Sequence, residues 1–452
     1  MSAKTESGVS LTIILSALGA ALGGLLFGFD TAVISGTTIE LQKYFSLSEA
    51  KLGFSVASAL IGTVIGALIS GKPADLFGRK AMMLLVGAIY VISSLGTALA
   101  HDWSVFIVFR FLGGLAIGAA SVITPIYIAE VSPARFRGRL VAINQLNIVI
   151  GILVAFVSNY IIANLVVPDL AWRWMFGVVA IPSIVYFIIT LILPESPRWI
   201  LIRGSHSGSY RAEQIMQRLG FSDIKRQIED ILEEQKRSLQ SAKARFFIRQ
   251  NSLPIATAIV IAAFNQLSGI NALLYYAPRI FESAGATSSS SLVQSIAVGL
   301  INLIFTIIAL FLIDKIGRKK LIYAGSVICS ISLFVVGFGF QGSDNGALIL
   351  IAMLCFIVGH AIGQGAVIWV LISEIFPSSI RGAGQALGAS THWIAAAIIT
   401  WVFPVVASSL GGWVFIFFAI MMALQLIWAI KFMPETNGIP LEDLSKDLIQ
   451  KA

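Results

Sequence analysis

Charged residues and cysteines are scarce in this sequence. Asp, Glu, Lys and Arg make up 12% of the 452 residues, against about 25% in an ordinary soluble domain. Cys329 and Cys355 are the two cysteines, and both fall in apolar stretches, where we expect small core residues. These deficits exclude an ordinary soluble fold, a disulfide framework and a cysteine-based metal site.

Motifs for catalysis and cofactor binding are missing too. The sequence has no phosphate-binding glycine loop, no His/Cys pattern with metal-ligand spacing and no nucleophile elbow. It also lacks an Asn-X-Ser/Thr glycosylation signal, which favours a bacterial protein. We therefore predict no cofactor and no metal site.

Long apolar runs, in contrast, fill the chain, which is 57% hydrophobic. A helix needs about 20 apolar residues to cross a bilayer, and β-barrel strands would alternate instead. The first run carries Asp30 and is too long for the apolar part of a signal peptide. The sequence predicts an all-α polytopic membrane protein with twelve spans, at residues 11–34, 53–72, 81–100, 105–128, 140–163, 173–193, 253–277, 292–313, 321–340, 346–373, 383–406 and 411–433.

The net charge of +8 could suggest a nucleic-acid partner, but its distribution indicates membrane topology instead. With a cytoplasmic N-terminus, the outer loops hold four of the 31 lysines and arginines, namely Lys43, Lys51, Arg173 and Arg279. Cytoplasmic loops carry such an excess of positive charge. We predict a plasma (bacterial inner) membrane protein with both termini cytoplasmic and no nucleic-acid partner.

Three motifs occur twice, in the same order and at similar spacing. The pairs are Asp75–Lys80 with Asp314–Lys319, Glu130–Pro133 with Glu374–Pro377, and Pro194–Ser196 with Pro434–Thr436. The repeat predicts two parallel six-helix halves with a substrate site between them near the bilayer midplane. Helical apolar spacing between the halves predicts short cytoplasmic helices, with a plain linker as the alternative. The predicted units are residues 1–197, 198–250, 251–434 and 435–452.

These motifs carry a family resemblance over residues 10–440. The chain resembles the sugar porter branch of the major facilitator superfamily, in particular bacterial proton-coupled xylose and glucose transporters and animal glucose facilitators. The loops with Asp, Gly, Arg and Lys are typical of the whole superfamily. The segments Pro194–Arg198 and Gly269–Tyr276 are specific to sugar porters.

Asp30 and Arg110 are charges inside spans, which are expensive and normally paired. Asp30 lies near the outer end of span 1 and Arg110 near the outer end of span 4, so their depths match. They could form a static ion pair, or a switch in which Asp30 is charged beside Arg110 and protonated when alone. The resemblance implies the second role. Val179 replaces a glutamate of the xylose symporters, so that proton coupling would rest on this pair alone.

A sugar site needs polar groups for hydroxyls and aromatic faces for the ring. Gln266 and Asn271 are spaced within about 1.5 turns of one helix. Any single amide, including Asn302, could instead link helices, and His392 could be a packing residue. By resemblance, the predicted sugar-binding residues are Phe27, Gln145, Asn265, Gln266, Asn271, Tyr275, Tyr276, Asn302, Trp369, His392 and Trp393.

The sequence differs at three positions from the proteins that it resembles, so it does not identify the sugar. Asn265 replaces the first glutamine of a Gln-Gln pair, and Ile152 matches the glucose facilitators rather than the xylose symporters. Ala366 replaces a proline, so span 10 is expected to bend through its glycines at 359, 363 and 365.

Duplicated charges are predicted at the cytoplasmic ends of the spans. They predict a network of inter-helix salt bridges that locks the cytoplasmic side shut when the outer side is open, because one exposed pair contributes only about 0–1 kcal/mol. The alternative is charge that serves topology alone. The residues are Arg79, Glu130, Arg137, Glu195, Arg318, Glu374, Arg381 and Glu435.

The sequence thus predicts a proton-coupled symporter for a monosaccharide, hexose or pentose, working as a monomer in the bilayer and not as an enzyme. A facilitative uniporter is the alternative: Asp30 argues against it and Val179 in its favour. A sugar receptor would be expected to have a longer cytoplasmic tail, and a drug–proton antiporter would lack the sugar motifs.

Overall fold

The protein is described by a computed structural model over residues 11–132, 137–203, 206–221, 223–241, 246–342, 345–377 and 380–438. Every regular element in these ranges is helical, as expected for apolar segments that must bond their own backbone groups inside a membrane. The α-helices are α1 (Leu11–Val33), α2 (Thr38–Tyr44), α3 (Glu49–Ile69), α4 (Gly71–Phe77), α5 (Arg79–Ala98), α6 (Trp103–Val131), α7 (Arg137–Leu165), α8 (Pro168–Val178), α9 (Ala180–Ile192), α10 (Pro197–Arg203), α11 (His206–Arg218), α12 (Ile224–Ser241), α13 (Ser252–Leu267), α14 (Ile270–Tyr275), α15 (Ala277–Ser283), α16 (Ser288–Ile316), α17 (Arg318–Gly339), α18 (Gly346–His360), α19 (Ala366–Glu374), α20 (Arg381–Leu410) and α21 (Trp413–Lys431).

Twelve helical segments of the described chain are long and apolar enough to span a membrane. They agree with the predicted runs in number and order, which confirms the all-α polytopic class. From span 1 to span 12 they are Leu15–Tyr44, Glu49–Ile69, Arg79–Ala98, Trp103–Val131, Ile143–Leu165, Pro168–Ile192, Arg249–Tyr275, Ser288–Ile316, Arg318–Gly339, Gly346–Glu374, Arg381–Leu410 and Trp413–Lys431.

Close packing of the spans depends on small residues, as span 4 illustrates. A Cβ atom added at Gly114 would lie 2.0 Å from the backbone oxygen of Ala59 in span 2. Backbones this close exclude any side chain at that position. Span 4 is thereby held at a fixed depth, and Arg110 lies one turn from Gly114 towards the outer end.

Two pairs of spans join the first six spans to the last six. Span 2 packs against span 11, and span 5 packs against span 8. At the end of span 2 near its first residue, the Trp401 indole donates to the backbone oxygen of Ala50 at 3.2 Å, and its ring meets Phe54 at a centroid distance of 5.2 Å.

The stretch between the two sets of spans forms α10, α11 and α12. Arg198 in α10 forms an ion pair with Glu234 in α12, with 3.0 Å between Nη1 and Oε2. Leu201 and Ile215 are buried in the same cluster as residues of the first six spans. The stretch is therefore helical and docked in its described part rather than a plain linker.

Span 10 contains an irregular turn. Ala361–Gly365 is π-helical and joins α18 to α19. The sequence predicts a bend at glycines 359, 363 and 365, and two of the three fall within this turn. Such a π-helical turn contains one residue more than a regular α-helical turn, and turns of this kind are frequent at functional sites.

Candidate functional site

Asp30 and Arg110 form an ion pair inside the first six spans. Arg110 Nη1 donates to Asp30 Oδ1 at 2.7 Å, and the side chains are 10% and 2% exposed for Asp30 and Arg110. Their matched depth results from spans 1 and 4 running in opposite directions. The guanidinium also lies over the Phe176 ring at 5.3 Å, where a cation is stabilised by the ring quadrupole.

This ion pair is incompletely hydrogen-bonded. Within the described chain, Asp30 Oδ2 and the Nε and Nη2 atoms of Arg110 are buried without a hydrogen-bond partner. A buried pair is stable only when its remaining lone pairs and protons are also bonded. The pair is therefore poorly suited to fixing two helices permanently. Val179, where a second carboxylate could stand, is buried among apolar side chains.

Three amides meet in span 7. Gln266 Nε2 donates to Asn265 Oδ1 at 2.9 Å and lies 3.2 Å from a ring nitrogen of His392 in span 11. Asn271 Nδ2 donates to Gln266 Oε1 at 2.7 Å. Asn265 and Gln266 are almost fully buried. We call Asn265, Gln266, Asn271 and His392 the amide cluster.

Aromatic rings surround the amide cluster. His392 lies 5.0 Å from the Trp369 ring and 4.7 Å from the Trp393 ring, centroid to centroid. Trp393 in turn meets the edge of Phe27 from span 1 at 5.3 Å. Donors, acceptors and ring faces thus converge from spans 1, 7, 10 and 11, the combination that binds a sugar ring and its hydroxyls.

Gln266 and Asn271 are brought together, although not by the geometry expected. The prediction that they share one helix is wrong, because α13 ends at Leu267 and α14 begins at Ile270. Gly269 between them has φ +81°, a left-handed conformation that favours glycine. The break re-aims the chain so that Asn271 turns back towards Gln266.

Four other predicted sugar residues lie apart from this cluster in the described contacts. Asn302 accepts a hydrogen bond from Thr306 one turn away, and half-buried Gln145 forms no hydrogen bond with the cluster in the described chain. Tyr276 donates to the Thr400 backbone oxygen and stacks on a neighbouring ring. Tyr275 instead interacts with Thr31, the residue after Asp30.

The charges on the side predicted to be cytoplasmic form two matching groups. Arg79 binds Glu130 through Nε at 2.9 Å and Nη2 at 3.0 Å, and Arg318 binds Glu374 in the same two-pronged way at 3.2 and 2.9 Å. We call these, with Glu195 and Glu435, the first and second cytoplasmic clusters. Each connects helices of one set of six spans only.

Glu195 and Glu435 complete the clusters by accepting backbone hydrogen bonds. Glu195 accepts from the backbone N–H groups of Arg79 and Lys80 at 3.1 and 3.2 Å. Glu435 accepts from those of Arg318 and Lys319, both at 3.0 Å. These N–H groups begin α5 and α17, where a helix leaves donors free and favours negative charge.

The preceding glycines permit this approach. Gly78 has φ +98° and Gly317 has φ +91°. A Cβ atom at Gly78 would lie 2.3 Å from Glu195 Oε2. The repeated Gly-Arg-Lys sequence is thus explained by a turn, a two-pronged arginine and a pair of free N–H groups.

The two glutamates differ in proton affinity. Burial raises the pKa of Glu195, and its hydrogen bonds only partly offset this effect. Burial also acts to raise the pKa of Glu435, but backbone hydrogen bonds from Asn437, Lys319, Arg318 and Thr436 outweigh it and lower the pKa. The second cluster therefore favours the ionised carboxylate more than the first.

This difference predicts opposite pH profiles of stability. Ionised Glu435 stabilises the fold above pH 4.5, the model-peptide value, and this contribution is lost as pH falls through its lower folded pKa. Glu195 binds its proton more tightly when folded, so its ionisation removes stability as pH rises above 4.5. The melting temperature of Glu435→Gln should therefore approach that of wild type on acidification. The melting temperature of Glu195→Gln should rise relative to that of wild type as pH rises. If the melting temperatures of both variants change with pH in parallel with that of wild type, the proposed difference between the two glutamates is wrong.

Arg381 and Arg137 do not join these clusters in the described structure. Arg381 Nε is buried without a hydrogen-bond partner in the described chain, and Glu374 is bound by Arg318 instead. The Arg137 side chain lies outside the described residues.

Both cytoplasmic clusters are formed while the two sets of spans are in contact near the outer ends. Intact salt bridges alone therefore do not mark a state that is open to the outside, and their role as a lock stays a prediction.

An ionic contact on the side predicted to be outer was missed by the sequence analysis. Arg279, after the break in span 7, binds Glu49 at 2.6 Å and Gln42 at 3.0 Å. Glu49 begins α3, which Ser48 caps through the Lys51 N–H group. We call Arg279, Glu49 and Gln42 the outer latch. Outer loops contain few charges, so an outer Arg with an outer Glu is a signal that could have revealed it.

We expect the outer latch to stabilise the conformation closed to the outside. Its charged side chains are each 27% exposed, so the pair should contribute about 1 kcal/mol, or about a fivefold change in population. Arg279→Gln should raise the labelling rate of a cysteine placed in the outer vestibule by about that factor. Arg173→Gln is the matched control, because Arg173 binds Ala98 and Tyr44 within the first six spans. Equal labelling of wild type and Arg279→Gln would count against the latch.

A buried amide pair beside the π-helical turn was also missed. Gln364 Nε2 donates to Gln425 Oε1 of span 12 at 2.6 Å, and Ser326 of span 9 donates to the same oxygen at 3.3 Å. This contact ties the irregular turn of span 10 to its neighbours. Isolated glutamines in apolar runs are the only signal for it.

Comparisons with known proteins find transporters that match almost the whole chain. The family model for "Sugar (and other) transporter" matches residues 16–448. The D-xylose-proton symporter of Escherichia coli (strain K12) is 36% identical, with 94% of each chain covered. The glucose transporter GlcP of Staphylococcus epidermidis is 35% identical, covering 95% of this chain and 96% of that protein.

A solved structure shows the same fold. The inward open conformation of the xylose transporter XylE from E. coli superposes with a TM-score of 0.85 at 34% identity, covering 96% of this chain and 99% of that one. The similarity extends over all twelve spans and over the helices between the two sets. In the described residues, no group of three or more His, Cys, Asp or Glu side chains could hold a metal ion.

Proposed function

This chain belongs to the sugar transporter family of the major facilitator superfamily, and we propose that it is a proton-coupled symporter that imports a monosaccharide by alternating access. Membership makes it a transporter and not an enzyme. The observation that carries the proposal is the incompletely bonded Asp30–Arg110 pair, which lies next to the residues that suit a sugar.

The first step of the argument is that span 1 serves both sites. Phe27 faces Trp393 beside the amide cluster, and Asp30 follows three residues later, about one helical turn away. A movement of span 1 that accompanies sugar binding therefore also moves the carboxylate. Tyr275, four residues after Asn271, interacts with Thr31 and connects span 7 to the same point.

The second step concerns the charge of Asp30. An unpaired carboxylate in a low-dielectric interior costs several kcal/mol, so it either stays beside Arg110 or takes up a proton. The charged and neutral forms favour different helix arrangements. Protonation and conformational change are thereby linked, which is the requirement for coupled transport.

The substrate class follows from the amide cluster and its rings. Amides offer donors and acceptors to hydroxyl groups, and tryptophan faces suit the apolar faces of a pyranose. One relative is named for xylose and another for glucose, so we propose a hexose or pentose as the substrate.

We further propose that the protein is a monomer in a bacterial inner membrane, with both termini in the cytoplasm. Its units would be residues 1–197 and 251–434 as halves, 198–250 between them, and 435–452 as a tail mostly outside the described residues.

Uptake into proteoliposomes tests the proposal. Purified protein would be reconstituted and given labelled glucose, xylose and arabinose with and without an imposed pH gradient, acidic outside. We expect accumulation above the equilibrium level only with the gradient. Equilibration that ignores the gradient would identify a facilitative uniporter instead, and the Asp30–Arg110 pair would then be structural.

A further inference from the structure

Buried hydroxyl groups line the side of span 1 that leads from Asp30 to the cytoplasm. Ser16, Gly23 and Asp30 are seven residues apart in turn, so they lie on one face of the helix at intervals of about 10 Å. Ser16 interacts with Tyr127 of span 4. The Asp30 side chain faces Arg110 at the other end of the row.

Gly23, in the middle of the row, faces two hydroxyl groups. A Cβ atom added there would lie 2.9 Å from Thr124 Oγ1 and 3.7 Å from the Tyr186 hydroxyl oxygen. Thr124 belongs to span 4 and Tyr186 to span 6, and both are almost fully buried. The Tyr186 hydroxyl interacts with Thr124 and Thr190, but neither it nor the Thr124 hydroxyl has a hydrogen-bond partner of normal geometry in the described chain.

Tyr90 of span 3 connects this middle position to Asp30. It is buried, and both the Asp30 charge and the Tyr186 hydroxyl act on its hydroxyl group electrostatically. Tyr186 also packs against Gly87, one turn before Tyr90 on the same helix. The order from the ion pair towards the cytoplasm is therefore Asp30, Tyr90, Tyr186 with Thr124, and then Tyr127.

Four atoms along this row are buried without a hydrogen-bond partner in the described chain: Asp30 Oδ2, Tyr90 OH, Tyr186 OH and Thr124 Oγ1. Buried polar atoms without a hydrogen-bond partner are rare in proteins, because each one lowers stability. Several in one row, contributed by four different spans, are the signature of internal water, which normally makes two to four hydrogen bonds.

We propose that Tyr90, Tyr186 and Thr124 hold a chain of water molecules that conducts the proton between Asp30 and the cytoplasmic end of the first six spans. The inference rests on the proposed symport. Neutral Asp30 gives its proton to a water molecule and becomes the carboxylate paired with Arg110. Each water or hydroxyl oxygen then accepts one proton and donates another, so that one proton leaves the row, Asp30 changes from neutral to negative, and no relay group changes its net charge.

The cytoplasmic end of the row is suited to releasing the proton. Tyr127 donates to the Pro194 backbone oxygen at 2.8 Å, and Glu195 follows directly. Burial raises the pKa of that carboxyl group, which helps it take up a proton transiently at the membrane surface. The titratable and charged groups that face the row are Asp30, Tyr90, Arg110, Tyr127, Tyr186, Glu195 and, through Thr31, Tyr275.

The row also explains where the proton of Asp30 goes. No second carboxylate stands at Val179, so a proton leaving Asp30 needs another acceptor inside the bundle. Hydroxyl groups serve as relays without carrying a charge, which avoids the penalty of a further buried ion.

Hydroxyl-radical labelling by a brief X-ray pulse detects the water directly. Radicals form from water inside the protein, so Tyr90 and Tyr186 are expected to be modified although both are buried. Tyr276 is equally buried but donates to the Thr400 oxygen, and it should stay unmodified. Labelling of Tyr90 and Tyr186 no greater than that of Tyr276 would mean a dry row and would overturn the proposal.

Transport by Tyr90→Phe/Tyr186→Phe tests the role of the row. Exchange of labelled for unlabelled sugar needs no net proton movement and should stay within about twofold of wild type. Accumulation driven by a pH gradient should fall by about tenfold or more, because the relay is interrupted. Tyr323→Phe, which removes a hydroxyl from span 9 far from the row, should change neither.

Each other outcome counts against a specific statement. Wild-type accumulation by the double variant overturns the water chain but leaves symport intact. An equal loss of exchange and accumulation assigns the hydroxyls to packing and overturns it too. Absence of pH-driven accumulation in the wild-type protein rejects the proposed function itself, and the water chain with it.

Discussion

Asp30→Asn should abolish pH-driven sugar accumulation while sugar exchange continues. Asparagine resembles the protonated acid in shape but never takes the charge, so the charged partner of Arg110 is lost in every state. The Arg110 guanidinium keeps its contact with Phe176 and an amide oxygen as acceptor, so folding should survive. Accumulation against a gradient and exchange would be measured in the same proteoliposomes.

The matched control makes the same chemical change elsewhere. Asp102→Asn alters an exposed carboxylate at the outer end of span 4 and should transport like wild type. If Asp30→Asn still concentrates sugar under a proton gradient, the coupling site lies elsewhere. Because Val179 offers no carboxylate, no other group of span 6 could compensate from that position.

Gln266→Ala should weaken sugar binding by about 5- to 150-fold. Gln266 is the centre of the amide cluster, and its removal leaves Asn265 Oδ1 and Asn271 Nδ2 without their partner. Removing one side of a buried hydrogen bond costs about 1–3 kcal/mol, and 1.4 kcal/mol is a factor of ten. Calorimetric titration of the purified variant with the transported sugar measures the change.

A second buried glutamine supplies the comparison. Gln425→Ala breaks the contact with Gln364 and should reduce thermal stability, but it removes no member of the amide cluster. Its sugar affinity should match that of wild type. A folded Gln266→Ala protein with unchanged affinity would assign Gln266 to helix packing instead of sugar recognition.

The features that sequence reasoning predicted are those with a strong local cause. Apolar runs of the right length specify the spans, because the bilayer leaves the backbone no alternative to the helix. The pairing of Asp30 with Arg110 followed from counting residues along two antiparallel spans. The contact of Arg79 with Glu130 followed from a motif that recurs around Arg318 and Glu374.

The features that it could not predict depend on where one span ends against another. Gly269 breaks span 7, and nothing in the apolar pattern marks that glycine as different from those inside intact helices. Asn302 has the same chemistry as Asn271, yet it accepts a hydrogen bond from Thr306 of its own helix. The outer latch joins Glu49 to Arg279 across 230 residues of sequence. The scarcity of outer charges marks both residues as candidates, but no local pattern indicates that they pair.

The wide turn at Ala361–Gly365 sets the rotational phase of the inner part of span 10. One surplus residue turns all that follows by about 100°, the angle per residue of an α-helix. Trp369 and Glu374 both follow the turn. The one additional residue of the turn therefore orients both side chains, so that Trp369 faces His392 and Glu374 faces Arg318. Removing one residue from the turn would rotate Trp369 away from His392 and Glu374 away from Arg318 together. The turn therefore couples sugar recognition to the second cytoplasmic cluster.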